Sequence, residues 1–399
     1  MPSVRDYGVV FGAAAGATFV VTGIMRWIAP HIGAIVQPSD RRVHERPTPT
    51  LGGVAMFVGL LAGVVTAWKM DVFNDQLAPG AESIGMLLAA FIILLVGLID
   101  DIRDISPPAK LAGMVLAGSV LSFAGIGIVV FRVPFLGVTP LTPDLSALIT
   151  VLWVVGMANA INLIDGLDGL AAGIVGIAAV TFFFYALRLS DEHIILTDNP
   201  GALVAAITAG LCLGFLPHNA RGLSNKGARI FMGDAGALML GLLMAVSTTV
   251  VGGRNEQAFS GQSFFFYAPI FIPLVILGVP LLDALFAIVR RTARRRGVAT
   301  ADKDHLHHRL MRIGHGHRRS VLILWAWTIL LSGFVLYPTY NHGRGDAMVP
   351  TGIAALGLLL YTVLHPDIRQ GRAERRDSHD AGGDKTNVVH IDPNRRTGS

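Results

Sequence analysis

Eleven apolar runs, each close to the length that a lipid hydrocarbon core demands, constrain this chain more than any other feature of its sequence. Their approximate limits are 8–29, 51–69, 83–100, 110–131, 145–163, 168–188, 201–217, 235–252, 266–289, 320–338 and 347–364. A core about 30 Å thick is crossed by a helix of roughly 20 apolar residues. Lipid offers no water to open backbone groups, and the runs lack the two-residue alternation of a barrel strand, so each is expected to be a helix. The expected fold is an all-α polytopic membrane protein, a bundle of about eleven transmembrane helices. Charged residues make up only 15% of the chain, against about 25% in soluble domains. The first run continues from about Val9 to Ala29 with no basic leader or small-residue cleavage site before it ends, so it reads as a span, not a signal peptide. Cys212, the single cysteine, lies within an apolar run, which excludes an internal disulfide.

The formal charge of +5 reports orientation in such a chain, not an affinity for nucleic acid. Alternate loops differ sharply. One set holds Arg41, Arg42 and Arg46; Arg103 and Lys110; Arg221, Lys226 and Arg229; and a long run from Arg290 to Arg319 that includes Arg294, Arg295, Arg296, Lys303, Arg309, Arg312 and Arg318. The other set, around 71–82, 133–144, 191–198, 252–263 and 340–346, is acidic or neutral. The positive-inside rule places the basic loops and the C-terminus in the cytoplasm and the N-terminus outside. Residues 1–364 then form one integral membrane domain. Residues 365–399 are polar, mixed in charge and nearly free of aromatics, a composition expected to be a disordered cytoplasmic tail.

Ionisable groups at span ends are costly and therefore informative, and here they gather in the cytoplasmic loops. The third run ends in Asp100-Asp101, the fifth joins the sixth through Asn162, Asp165 and Asp168, a further loop ends in Gly233-Asp234, and the most basic loop contains His305, His307, His308 and Arg309. Carboxylates with amide oxygens suit a hard divalent ion such as Mg²⁺, with Mn²⁺ as its chemical substitute. Arginine, lysine and histidine suit diphosphate oxygens. Together they describe phosphate chemistry on one membrane face. A transporter would set its polar groups near the bilayer midplane, commonly in related halves, and the chain has no internal repeat.

Spacing sharpens the picture. If residues 159–168 are helical, Asn162, Asp165 and Asp168 project from nearly one face. Asp100 and Asp101 point about 100° apart on a helix, which predicts different duties. Structural alternatives stand beside these readings: an acidic pair can simply cap a span or pair with Arg103, and the histidine loop has no cysteine to make it a zinc site. Asp283, inside the ninth run, reads equally as a pocket residue or as an internal partner of Arg290 or Arg291.

Seven ordered blocks carry a family resemblance: RRVHERPTPTLGG at 41–53, LIDDIRDISPPAKL at 98–111, NAINLIDGLDGLAAG at 159–173, GFLPHN at 214–219, RIFMGDAGALMLG at 229–241, PLLDALFAIVRR at 280–291 and DHLHHRL at 304–310. The chain resembles the polyprenyl-phosphate N-acetylhexosamine-1-phosphate transferases, glycosyltransferase family 4, in the branch that uses UDP-N-acetylglucosamine rather than the branch that makes the first lipid intermediate of peptidoglycan. The resemblance implies a bacterial inner-membrane enzyme with catalytic cytoplasmic loops, acting on UDP-N-acetylglucosamine and undecaprenyl or decaprenyl phosphate, and it leaves a homodimer open. It implies that Asp234 binds Mg²⁺ with Asn162 as second ligand. Asp100, Asp101, Asp165 and Lys110 are implied as catalytic, with Asp100 deprotonating or positioning the lipid phosphate and Lys110 approaching the phosphates. Asp168 would lie near the uridine, and His305, His307, His308 and Arg309 would engage the sugar nucleotide. Asn219 is placed with the substrate-binding residues, its individual contact open. Between Asn219 and Arg229 the chain carries a longer ARGLSNKGA where relatives have a few residues, which leaves Arg221 and Lys226 without a role.

Overall fold

The computed structural model describes residues 2–36, 47–77, 81–133, 137–196, 198–220, 227–254, 275–293, 306–341, 346 and 348–364. Within them run α1 (Val4–His31), β1 (Ile35–Val36), β2 (Thr48–Pro49), α2 (Gly52–Trp68), α3 (Ala81–Arg103), α4 (Pro107–Phe123), β3 (Val130–Val133) and β4 (Gly137–Pro140). There follow α5 (Pro143–Ile164), α6 (Leu170–Asp191), α7 (Gly201–Asn219), α8 (Gly233–Gly252), α9 (Gly278–Ala293), α10 (Leu306–Ile313), α11 (His317–Tyr340) and α12 (Met348–Leu364). The strands form only two short antiparallel ribbons, β1 with β2 and β3 with β4. The architecture is an all-α, multi-span membrane bundle.

Among the described residues, seven helices are long and apolar enough to cross a membrane: α1, α3, α5, α6, α7, α8 and α11. Three shorter apolar helices accompany them, α2, α4 and residues 349–362 of α12. The fourth run, expected to span 110–131, is corrected. Its helix ends at Phe123, and Gly125 turns the chain with φ +94°. Ile126, Ile128 and Val130 are buried in the non-helical chain that leads into β3, where the N–H groups of Val129 and Val130 both donate to the Gly253 carbonyl. Of the ninth run, 266–289, the stretch before residue 275 lies outside the described residues, as does the tail 365–399.

Helix α8 is the axis. Every residue from Ala235 to Gly252 is buried, as expected of a helix that is apolar on all sides. Helices α2, α3, α5, α6 and α7 pack around it. Small residues set how close they come: a Cβ on Gly97 of α3 would overlap the Ala235 backbone, one on Gly53 of α2 would overlap Gly236, and one on Gly241 would overlap the α5 backbone at Ala158. This is the packing that membrane helices use where apolar transfer provides no drive. On the periphery, Phe91, Leu116, Leu148 and Leu152 are exposed, which in lipid carries no penalty.

Candidate active site

The chain reverses at each helix, so the C-terminal ends of α3, α5 and α7 meet the N-terminal ends of α4, α6 and α8. The α3–α4 corner shows why. Helix α3 closes with Asp104 in the left-handed region, φ +47°, and Ser106 precedes Pro107 at the first turn of α4, where proline's missing N–H costs nothing. That tight corner folds Lys110 back onto Asp100.

Four side chains then converge. The Lys110 ammonium pairs with Asp100 Oδ2 at 2.9 Å and also contacts Asp234 Oδ2. It donates to Asn162 Oδ1 at 3.2 Å, and Asn162 Nδ2 donates to Asp234 Oδ1 at 2.7 Å. Asp100 is held in turn, its Oδ1 accepting the Ile105 N–H at 2.9 Å. Residues from α3, α4, α5 and α8 thus share one charge cluster. Asp101 has the separate duty that its helical offset predicts. Its carboxylate accepts the backbone N–H groups of Asp234 at 2.8 Å and Ala235 at 3.3 Å, capping α8 from another helix. The preceding segment is stitched to α2, since Gly52 and Gly53 donate their N–H groups to the carbonyls of Phe231 and Met232.

The expected stripe of Asn162, Asp165 and Asp168 is corrected. Helix α5 stops at Ile164, and the glycine-flanked turn that follows ends in Gly169 at φ +78°, so the three do not share a helix face. Asn162 joins the cluster. Half-buried Asp165 stands at the helix end, where burial, with Asp234, Asp101 and Asp168 as negative neighbours, pushes its carboxyl well above the ordinary range. Asp168 turns away: buried, it accepts the Ala228 N–H at 2.8 Å. Asn219, also buried, accepts the Gly169 N–H at 2.7 Å and donates to the Ile230 carbonyl at 3.0 Å. Asp168 and Asn219 therefore clasp the α5–α6 turn to the segment that leads into α8.

Arg309 is exposed on α10. His305 and the side chains of His307 and His308 lie outside the described residues, as do Arg41, Arg42, Arg46, Arg221 and Lys226. Sequence reasoning named Gly233 beside Asp234 without giving it a role. It sits at φ +68°, and a Cβ there would collide with the Asp101 carboxylate. A glycine immediately before the acidic residue that opens a helix was the available signal.

Residues 83–252 match the model of the glycosyl transferase family 4. The decaprenyl-phosphate N-acetylglucosaminephosphotransferase of Mycobacterium tuberculosis is 36% identical over 372 residues, 92% of this chain and 90% of that protein. The chain belongs to glycosyl transferase family 4. The enzyme of the same name from Mycobacterium leprae is 36% identical over 367 residues, 90% of this chain and 89% of the relative. The undecaprenyl-phosphate alpha-N-acetylglucosaminyl 1-phosphate transferase of Haemophilus influenzae is 27% identical over 364 residues, covering 89% and 93%.

The stretch matched by the glycosyl transferase family 4 model runs from α3 to the end of α8, so it contains the whole Asp100, Lys110, Asn162 and Asp234 cluster. The segment with His307 and His308 falls beyond it. Among the described residues, no group of three or more His, Cys, Asp or Glu is arranged as a metal site. The oxygen set nevertheless suits a hard cation. Carboxylate oxygens of Asp100 and Asp234 and the amide oxygen of Asn162 already converge on one positive charge, the Lys110 ammonium, and these are the donor types magnesium takes.

Proposed function

We infer that this chain transfers N-acetylglucosamine 1-phosphate from UDP-N-acetylglucosamine to a polyprenyl phosphate, undecaprenyl or decaprenyl, releasing UMP and starting a lipid-linked cell-envelope glycan. The relatives' activities support the reaction, and one observation carries its location: Asp100, Lys110, Asn162 and Asp234 meet where the ends of α3 and α5 and the starts of α4 and α8 come together.

In this reading an oxygen of the lipid phosphate attacks the β-phosphorus of the sugar nucleotide. The bond from that phosphorus to the bridging oxygen breaks, UMP departs with the electron pair, and no sugar C–O bond is cleaved. Asp234 and Asn162 would hold Mg²⁺, which when bound neutralises diphosphate charge. Lys110 supplies a fixed positive charge beside the reacting phosphates. Asp100 orients that lysine and faces the acceptor. A lipid phosphate is already largely ionised near neutral pH, so positioning outweighs proton removal. Asp101 acts through Asp234 by fixing the start of α8. Asp165 supports the metal site from the end of α5 and Asp168 lies near the uridine, while Asn219 contributes through the α5–α6 turn it holds. His305, His307, His308 and Arg309 engage the diphosphate and sugar.

We place this face in the cytoplasm and the N-terminus outside, on the strength of the arginine-rich loops. Eleven crossings, counting α2, α4, α12 and the ninth run, satisfy that arrangement. The test is UMP release by the detergent-purified chain with polyprenyl phosphate and Mg²⁺. UDP-N-acetylglucosamine should give UMP and a lipid-linked N-acetylglucosamine diphosphate, and UDP-N-acetylmuramoyl-pentapeptide should give neither. Reaction with the second donor alone would move the chain to the peptidoglycan branch, and no metal-dependent UMP from either would end the transferase reading.

A further inference from the structure

Asp283 is an ionisable residue in the middle of an apolar helix, and it is 1% exposed. Its neighbours Leu282, Leu285, Phe286, Ile288 and Val289 form an exposed apolar face of α9, so the carboxyl points the other way, into protein. A buried carboxylate at such a position is costly unless it has a partner. One partner is the backbone of a distant helix. Asp283 Oδ1 accepts the N–H of Leu306 at 2.9 Å, and Leu306 is the first residue of α10.

Helix α10 has only 8 residues, too few to be stable alone, and its first N–H groups have no partner within the helix. Its far end is secured by packing. Leu310 is buried, Met311 packs against the core, and the Leu310 carbonyl accepts the His315 N–H. Its near end, with His307, His308 and Arg309, is tied to α9 through Asp283, whose negative charge also suits the positive end of a helix. Helix α9 packs against α5, and α5 ends in the turn that holds Asn162 at the charge cluster.

We propose that Asp283 is a positioning residue for donor binding: by holding Leu306 it sets where His307, His308 and Arg309 stand relative to the Asn162 end of α5. This rests on the reading of that histidine segment as the donor-engaging one. The arginine partnership open from sequence falls on Arg290 and Arg291, whose side chains lie outside the described residues.

The test uses the full chain in detergent with two readouts, hydrogen exchange of the 306–313 segment and steady-state kinetics. Asp283→Ala should speed exchange there and raise KM for UDP-N-acetylglucosamine about tenfold, the scale of a lost charge-assisted hydrogen bond, with kcat and KM for polyprenyl phosphate little changed. Asp283→Asn keeps an acceptor oxygen and should rescue both readouts. Asp283→Leu, apolar and of similar size, replaces the alanine variant if that chain does not fold. Unchanged exchange, or an asparagine variant as damaged as the alanine one, would overturn the anchor. Faster exchange with an unchanged KM would overturn the positioning role, and His308→Ala then separates the causes. If His308→Ala raises KM, the segment serves the donor without needing Asp283. If it does not, the donor reading of the segment fails as well.

Discussion

The carboxylate of Asp101, near the end of α3, caps the backbone of Asp234 at the start of α8 across 133 residues of sequence, with a hydrogen bond of 2.8 Å. Asp234 thus has two independent supports, its side chain held by Lys110 and Asn162 and its backbone held by Asp101. Removing the second without touching the first isolates what backbone placement contributes.

Asp101→Ala, which frees two N–H groups, should lower stability by about 1–2 kcal/mol, the scale of a lost helix cap, and reduce kcat more than it raises either KM. Asp101→Asn keeps one strong acceptor and should fall between alanine and the parent. Thermal unfolding in detergent, read beside UMP release, checks both. An alanine variant of normal Tm and normal kcat would show that the cap is dispensable.

Asp234→Asn should abolish nearly all turnover, a loss of at least about a hundredfold for a group that organises transition-state charge, while the chain still inserts and unfolds at nearly the parent temperature. Retention of half the activity would remove Asp234 from the proposed metal site.

Lys110→Met leaves Asp100 and Asp234 facing each other without the cation between them. Mg²⁺ should then bind more tightly to the substrate-free protein, because the competing ammonium is gone, yet kcat should fall by about tenfold or more through loss of a fixed charge at the phosphates. Metal titration in the absence of substrate, followed by turnover at saturating metal, separates the two effects. Weaker metal binding in this variant would count against a shared site.

Asp165 carries a pH signature. Its carboxyl is raised in the folded chain above the ordinary value of 3.8, so in that interval the folded state binds more protons than the unfolded one. Stability of the metal-free protein is therefore greatest below the unfolded value and falls as pH rises toward the raised one. Asp165→Asn should flatten that fall, and saturating Mg²⁺ should reduce it. Unfolding temperatures across pH with and without a chelator measure the slope, and an unchanged slope in the asparagine variant would assign it elsewhere.

The sequence was legible where local chemistry decides structure. Apolar run length located the helices, and the motif blocks located Asp100, Lys110, Asn162 and Asp234, which the fold brings together. It was less legible where a distant partner decides. The apolar stretch after Phe123 is buried as non-helical chain beside Gly253, which run length does not distinguish from helix. The turn after Ile164 breaks a helical spacing that the carboxylates alone suggested. The carboxylates of Asp101, Asp168 and Asp283 go to backbone N–H groups 133, 60 and 23 residues away, respectively, and no pattern of side chains announces a backbone partner.

Because α8 is enclosed on every side, its length and tilt are set by protein contacts alone. A thicker or thinner bilayer acts on the peripheral helices, where hydrophobic mismatch is relieved by tilting or by local deformation of the lipid. The depth of Asp234 is insulated from that adjustment, so the proposed reaction plane stays fixed while the headgroup plane shifts around it. Bilayer thickness should accordingly affect how well the lipid acceptor reaches the site more than how well the water-soluble donor does.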